Sequence, residues 1–139
     1  MGCSLATSLV SEIKKFRRDI DPDFLFIEPS EIVLTHEMRN ASSMGLRDIR
    51  YESGPFITLV DGPAFDLAWE ERGALIKGQV ANADLVAVSR SDLIEAAQSR
   101  RIAGILSGYA ERIILMSAIE GSGVNEVLQI LDLHQWDIK

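Results

Sequence analysis

Four short apolar runs punctuate the chain, and longer stretches with helical spacing separate them. The runs are Phe24-Leu25-Phe26-Ile27, Phe56-Ile57-Thr58-Leu59-Val60, Leu85-Val86-Ala87-Val88 and Ile113-Ile114-Leu115-Met116. Each is rich in β-branched or aromatic side chains and ends on a polar residue: Glu28, Asp61, Ser89 and Ser117. A strand covered on both faces needs a continuous apolar run rather than an in-out alternation, so all four are read as buried strands. Between them, Leu5, Leu9, Ile13 and Phe16 fall on one helical stripe, with Lys14, Lys15, Arg17 and Arg18 facing elsewhere as a solvated helix end. A second helix is expected from Ser30, as its cap, to Met44, and a third from Phe65 to Ala81. A fourth spans Leu93 to Leu106, and a fifth Val124 to Leu133. The stretch Arg47 to Pro55 reads as an exposed loop.

The resulting order, α-β-α-β-α-β-α-β-α, predicts an α/β fold: a mainly parallel sheet of about four strands flanked by helices in three layers. Such sheets bind ligands at the carboxyl ends of their strands, so the polar row Glu28, Asp61, Ser89 and Ser117 marks the candidate site. No repeat, low-complexity segment or linker interrupts residues 1–139, which are read as a single domain.

Composition narrows the chemistry. With 14 Lys and Arg against 21 Asp and Glu the net charge is −7, the wrong sign for gripping nucleic-acid phosphates, so no nucleic-acid partner is expected. One cysteine excludes a disulfide framework within the chain and a site of several thiolates. No apolar run approaches the ~18 residues that a membrane-spanning helix needs. Met1 to Thr7 has neither the basic flank nor the apolar stretch of a signal peptide, so a cytoplasmic location and no membrane partner are expected.

Two strand ends carry the base-reading chemistry. Asp92 follows the third strand by three residues, in Ser89-Arg90-Ser91-Asp92. A carboxylate there can accept two hydrogen bonds from N1 and the 2-amino group of guanine, a pair that adenine lacks. Arg90 can lay its stem or guanidinium along the purine face. The competing reading of Asp92 is a cap on the following helix. After the fourth strand comes Ser117-Ala118-Ile119-Glu120-Gly121-Ser122-Gly123, whose small Ser-Ala pair lets backbone N–H groups approach a base carbonyl. Gly121 and Gly123 allow the turn.

With these residues the chain resembles the later part of the CobW/HypB/UreG class of P-loop GTPases and metallochaperones, from Cys3 to about Leu131. Ser89-Arg90-Ser91-Asp92 sits where that family carries Asn-Lys-x-Asp, and Ser117-Ala118 where it carries its second guanine motif. Ile27-Glu28-Pro29-Ser30-Glu31 resembles its Glu-x-x-Gly element, and Cys3-Ser4-Leu5 the end of its Cys-x-Cys-Cys metal motif. The resemblance implies a P-loop NTPase-like fold, GTP with magnesium, and a role in metal or cofactor delivery. It makes Glu28 the catalytic residue, a carboxylate that helps position magnesium and water near the terminal phosphate. It makes Ser89, Arg90, Asp92, Ser117 and Ala118 the nucleotide-binding residues, and Cys3 a ligand for zinc, nickel or cobalt. His36 beside Glu37 is read as a surface or interface residue, with a metal set of His36, Cys3 and Glu28 as the alternative. His134 is read as structural or solvated, and Phe56, Phe65 and Trp69 as core or helix-packing residues.

The departures from the family pattern are specific. Ser89 replaces Asn and Arg90 replaces Lys, Glu31 stands at the glycine position, and one of three motif cysteines is present. The four lysines, Lys14, Lys15, Lys77 and Lys139, include none that follows glycine and precedes Ser or Thr, so no Walker A phosphate loop occurs. The expectation is therefore a GTPase-like domain incomplete at its N-terminus, binding guanine nucleotide weakly and not hydrolysing it alone. The alternative is a non-catalytic module that forms a homo-oligomer or complements a partner protein.

Overall fold

The uninterrupted run Leu85-Val86-Ala87-Val88 forms the centre of a three-stranded parallel sheet. Its strands are β1 (Ile57–Asp61), β2 (Leu85–Ser89) and β3 (Ile113–Leu115), in the order β1-β2-β3. Among the described residues five helices accompany it: α1 (Gly2–Asp19), α2 (Thr35–Gly45), α3 (Phe65–Val80), α4 (Ala96–Leu106) and α5 (Val124–Leu133). The structure, a computed structural model, describes residues 2–45 and 52–133 and divides into two compact units, Met1–Ser53 and Gly54–Lys139.

In the second unit Leu85, Val86, Ala87 and Val88 are all fully buried, so β2 is covered on both faces, as its lack of alternation requires. Val86 and Val88 join Val60 of β1, Phe65 and Val80 of α3, and Ile102 and Leu106 of α4 in one core cluster. Each such side chain contributes about 1.5–3 kcal/mol of burial free energy. Trp69 stacks on Phe65 at 5.3 Å between ring centroids, which bears out the core reading of both. An ion pair from Arg101 to both carboxylate oxygens of Asp66, each at 2.6 Å, links α4 to α3 at the surface. At the amino end of the sheet, the Phe56 amide donates to Asp84 Oδ2 at 2.7 Å and the Asp84 amide returns a bond to Phe56 O at 2.8 Å. This reciprocal pair sets the β1–β2 register, Ile57 with Leu85 through Asp61 with Ser89.

In the first unit α1 packs on α2, burying Ile13, Met38 and Ala41. The basic end of α1 is solvated as expected, with Arg17 paired to Asp21 and Arg18 to Asp19 at 2.7 Å. The hydrogen bond from Arg18 holds the Asp19 carboxyl below its ordinary range.

Three expectations are corrected. Phe24-Leu25-Phe26-Ile27 is not a strand, and the described residues hold three strands rather than about four. A strand exists through its ladder, and this run pairs with no neighbouring strand; Phe26 is 80% exposed. The second helix begins at Thr35 rather than Ser30. Ser30 instead closes a turn by accepting from the Val33 amide at 3.0 Å, and Glu37 reaches back to the Leu34 amide at 3.2 Å as the cap. The helix expected from Leu93 starts at Ala96, because Ser91–Leu93 form a separate 3₁₀ turn. The α5 bounds match those read from the sequence.

Candidate functional site at the strand carboxyl ends

The parallel register aligns the ends of β1 and β2, so Asp61 stands opposite Ser89, and β3 ends two residues before Ser117. Backbone hydrogen bonds then tie the three following loops together. The Gly62 amide donates to Ser89 O at 3.0 Å, and the Ser91 amide donates to Met116 O at 3.1 Å. The second bond joins the residue before Asp92 to the residue before Ser117, so the segments after β2 and β3 lie side by side on one rim. Gly62 is needed for this approach, since a Cβ there would stand 2.9 Å from Ser89 O.

Ser89 is turned into this scaffold, its hydroxyl donating to Val60 O at 3.3 Å. Arg90 adopts the left-handed conformation, φ 55° and ψ 38°, and directs the chain into the 3₁₀ turn that carries Asp92. Its guanidinium is paired while its side chain stays 56% exposed. It grips Asp61 through two hydrogen bonds, Nε to Oδ1 at 2.7 Å and a second amino group to Oδ2. The hydrogen bond that Arg90 donates to Asp61 raises the Arg90 pKa above its ordinary value; desolvation opposes it, and the charges of Asp61 and Asp92 add to the rise.

Asp92 is half-buried, and among the described residues its carboxylate accepts no hydrogen bond. The cap reading does not describe it: α4 starts after Glu95, without a side-chain cap bond. A half-buried carboxylate with its lone pairs open, on a rim of tied backbone, is able to accept a pair of N–H donors.

The Ser-Ala pair divides its work. Ser117 is fully buried, its amide donating to Ser122 O at 3.0 Å and its hydroxyl accepting from the Glu120 amide at 3.2 Å. These bonds close the loop from 117 to 122, helped by Gly121 and Gly123 at φ +74° and +72°. Ala118 is exposed, and among the described residues its amide has no acceptor, which leaves that N–H available as a donor. Ser117 is thus the brace and Ala118 the open N–H.

Glu28 and Cys3 belong to the first unit. Glu28 is exposed in the segment of irregular backbone after α1, and Cys3 lies in α1 with its side chain outside the described residues. His36 is in the first turn of α2, exposed, while His134 lies outside the described residues. Among the described residues no three His, Cys, Asp or Glu side chains cluster as a metal site, and no helix is long and apolar enough to cross a membrane.

The residue given no role from sequence was Asp61. Its signal was its place in the polar row, but its partner lies 29 residues away and only the sheet register brings the two together. Compared with known proteins, residues 1–115 match the family model described as CobW/HypB/UreG, nucleotide-binding domain. No curated protein and no solved structure matches the chain.

Proposed function

The chain belongs to the CobW/HypB/UreG nucleotide-binding family, and from that premise we propose that its strand-end rim is the guanine-recognising half of a CobW-like GTPase serving metal or cofactor delivery. Asp92 accepts from N1 and the 2-amino group of guanine, and the Ala118 amide donates to the base carbonyl. Ser89 and Ser117 brace the two loops. The observation that carries this reading is the Ser91-to-Met116 backbone bond at 3.1 Å, beside an Asp92 carboxylate that no described residue occupies. By family resemblance, Glu28 is proposed as the acid that positions magnesium.

Phosphate contacts supply most of the electrostatic grip on a nucleoside triphosphate, and these 139 residues hold no Gly-Lys-Ser/Thr. Calorimetry with GTP and GDP on this chain is therefore expected to give dissociation constants weaker than micromolar, and phosphate release no turnover above background. Micromolar affinity would contradict the proposal.

A second reading, a non-catalytic module that dimerises or complements a partner, is favoured by β1. Its register turns the backbone groups of Ile57, Leu59 and Asp61 away from β2, Leu59 is 62% exposed, and a hollow of about 130 Å³ lies between β1 and α3. Light scattering at rising concentration tests it. Self-association abolished by Leu59→Lys supports strand addition, and a monomer throughout counts against self-pairing.

A further inference from the structure

Arg90 occupies a backbone conformation that ordinary side chains avoid, at a cost of about 1–2 kcal/mol. Such a conformation persists where surrounding contacts over-determine it. Here they are the Leu93 amide on Arg90 O at 3.0 Å, the Ser91 amide on Met116 O at 3.1 Å, and the two-point grip of Asp61 on the guanidinium. The grip has a second consequence. Arg90 lies within electrostatic reach of two carboxylates, Asp61 and Asp92, and among the described residues its guanidinium bonds the first alone. An exposed arginine released from Asp61 would still feel the charge of Asp92, two residues along the same turn. A guanidinium on Asp92 takes the same lone pairs that a guanine edge requires.

We propose that Asp61 is a positioning residue for base recognition: by claiming both arms of the Arg90 guanidinium it keeps Asp92 open for the guanine edge. The inference rests on the reading of Asp92 as the base-reading carboxylate. It assigns the selectivity of the rim to three residues on two strand ends, two carboxylates sharing one cation, with the cation fixed on the acid that does not touch the base.

The probes are 5′-GMP and 5′-AMP, which share a phosphate and differ only in the base, titrated into ¹⁵N-labelled full chain. In the parent protein GMP is expected to bind more tightly than AMP. Asp61→Asn is expected to reduce that ratio about 5- to 10-fold through the GMP arm alone, with AMP unchanged. Asp61→Glu, which keeps an acid for Arg90, retains most of the ratio. The double variant Asp61→Asn/Arg90→Gly removes the competing guanidinium and places at position 90 the residue best suited to a positive φ, so the ratio recovers. An unchanged ratio in Asp61→Asn overturns the proposal. A ratio lost in both Asp61→Asn and the double variant overturns it too, because the loss then comes from the turn and not from the released arginine. A parent protein without preference for GMP refutes the base-reading role of Asp92 itself, a result distinct from either.

Discussion

Replacing Gly123 with alanine is expected to destabilise the second unit by about 3–5 kcal/mol, the largest single-residue effect anticipated in this chain. Two independent penalties meet there. The residue sits at φ +72°, where a Cβ is strained by itself, and that Cβ would stand 2.2 Å from Leu115 O and 3.0 Å from Met116 Cα. Neither neighbour is a side-chain tip able to swing aside; both belong to the backbone at the end of β3. The chain must move the strand or the turn, and the turn carries the Ser117–Ser122 bond and the Ala118 amide. Gly121→Ala provides the matched comparison. It has φ +74° but open space around the added methyl, so only the conformational penalty of about 1–2 kcal/mol applies. Thermal unfolding should therefore fall by about 10 °C or more for Gly123→Ala and by a few degrees for Gly121→Ala. Equal losses would show that close approach to Leu115 is not what position 123 is selected for.

The second large effect concerns chemistry rather than stability. Asp92→Asn is expected to lower affinity for a guanine nucleotide at least 10-fold and to leave affinity for the adenine analogue unchanged. The two side chains are nearly isosteric, and among the described residues Asp92 makes no hydrogen bond that the exchange would break, so the melting temperature should move little. The amide offers one acceptor where the carboxylate offers two, and it turns an N–H₂ toward guanine donors. Losing one charge-assisted bond and facing an unpaired donor costs about 1.5–3 kcal/mol. Parallel titrations of parent and variant with both nucleotides, alongside a melting curve, check this. A fall in affinity for both bases would assign Asp92 to the loop's structure instead.

How far the sequence discloses all this depends on the range of the interaction involved. Leu85–Val88 has no polar interruption, and the strand it forms is the buried centre of the sheet. The α5 segment carries its glycine turn and apolar spacing locally, and its bounds follow. Phe24–Ile27 has the same local composition and forms no strand, because composition confers strand propensity while a ladder needs a neighbour. Ser30 is a good cap in isolation, but α2 starts later because Glu37 captures the Leu34 amide four residues before Met38, the first buried residue of the helix. In the candidate site, Asp92 and Ser117-Ala118 are visible as motifs. The division between a buried Ser117 and an Ala118 amide without an acceptor among the described residues follows from the loop's own hydrogen bonds, which form only in the folded turn. The pairing of Arg90 with Asp61 is invisible for the same reason, since it is set by sheet register across 29 residues.

The central claim is that the carboxyl rim of β2 and β3 reads a guanine base. Backbone amide shifts of the ¹⁵N-labelled chain during GMP and AMP titrations test it most directly. The account predicts that GMP moves the resonances of Asp92 and Ala118 together, with one saturation curve, and that AMP moves them far less. Identical responses to the two nucleotides, or GMP shifts confined to residues away from this rim, would contradict it.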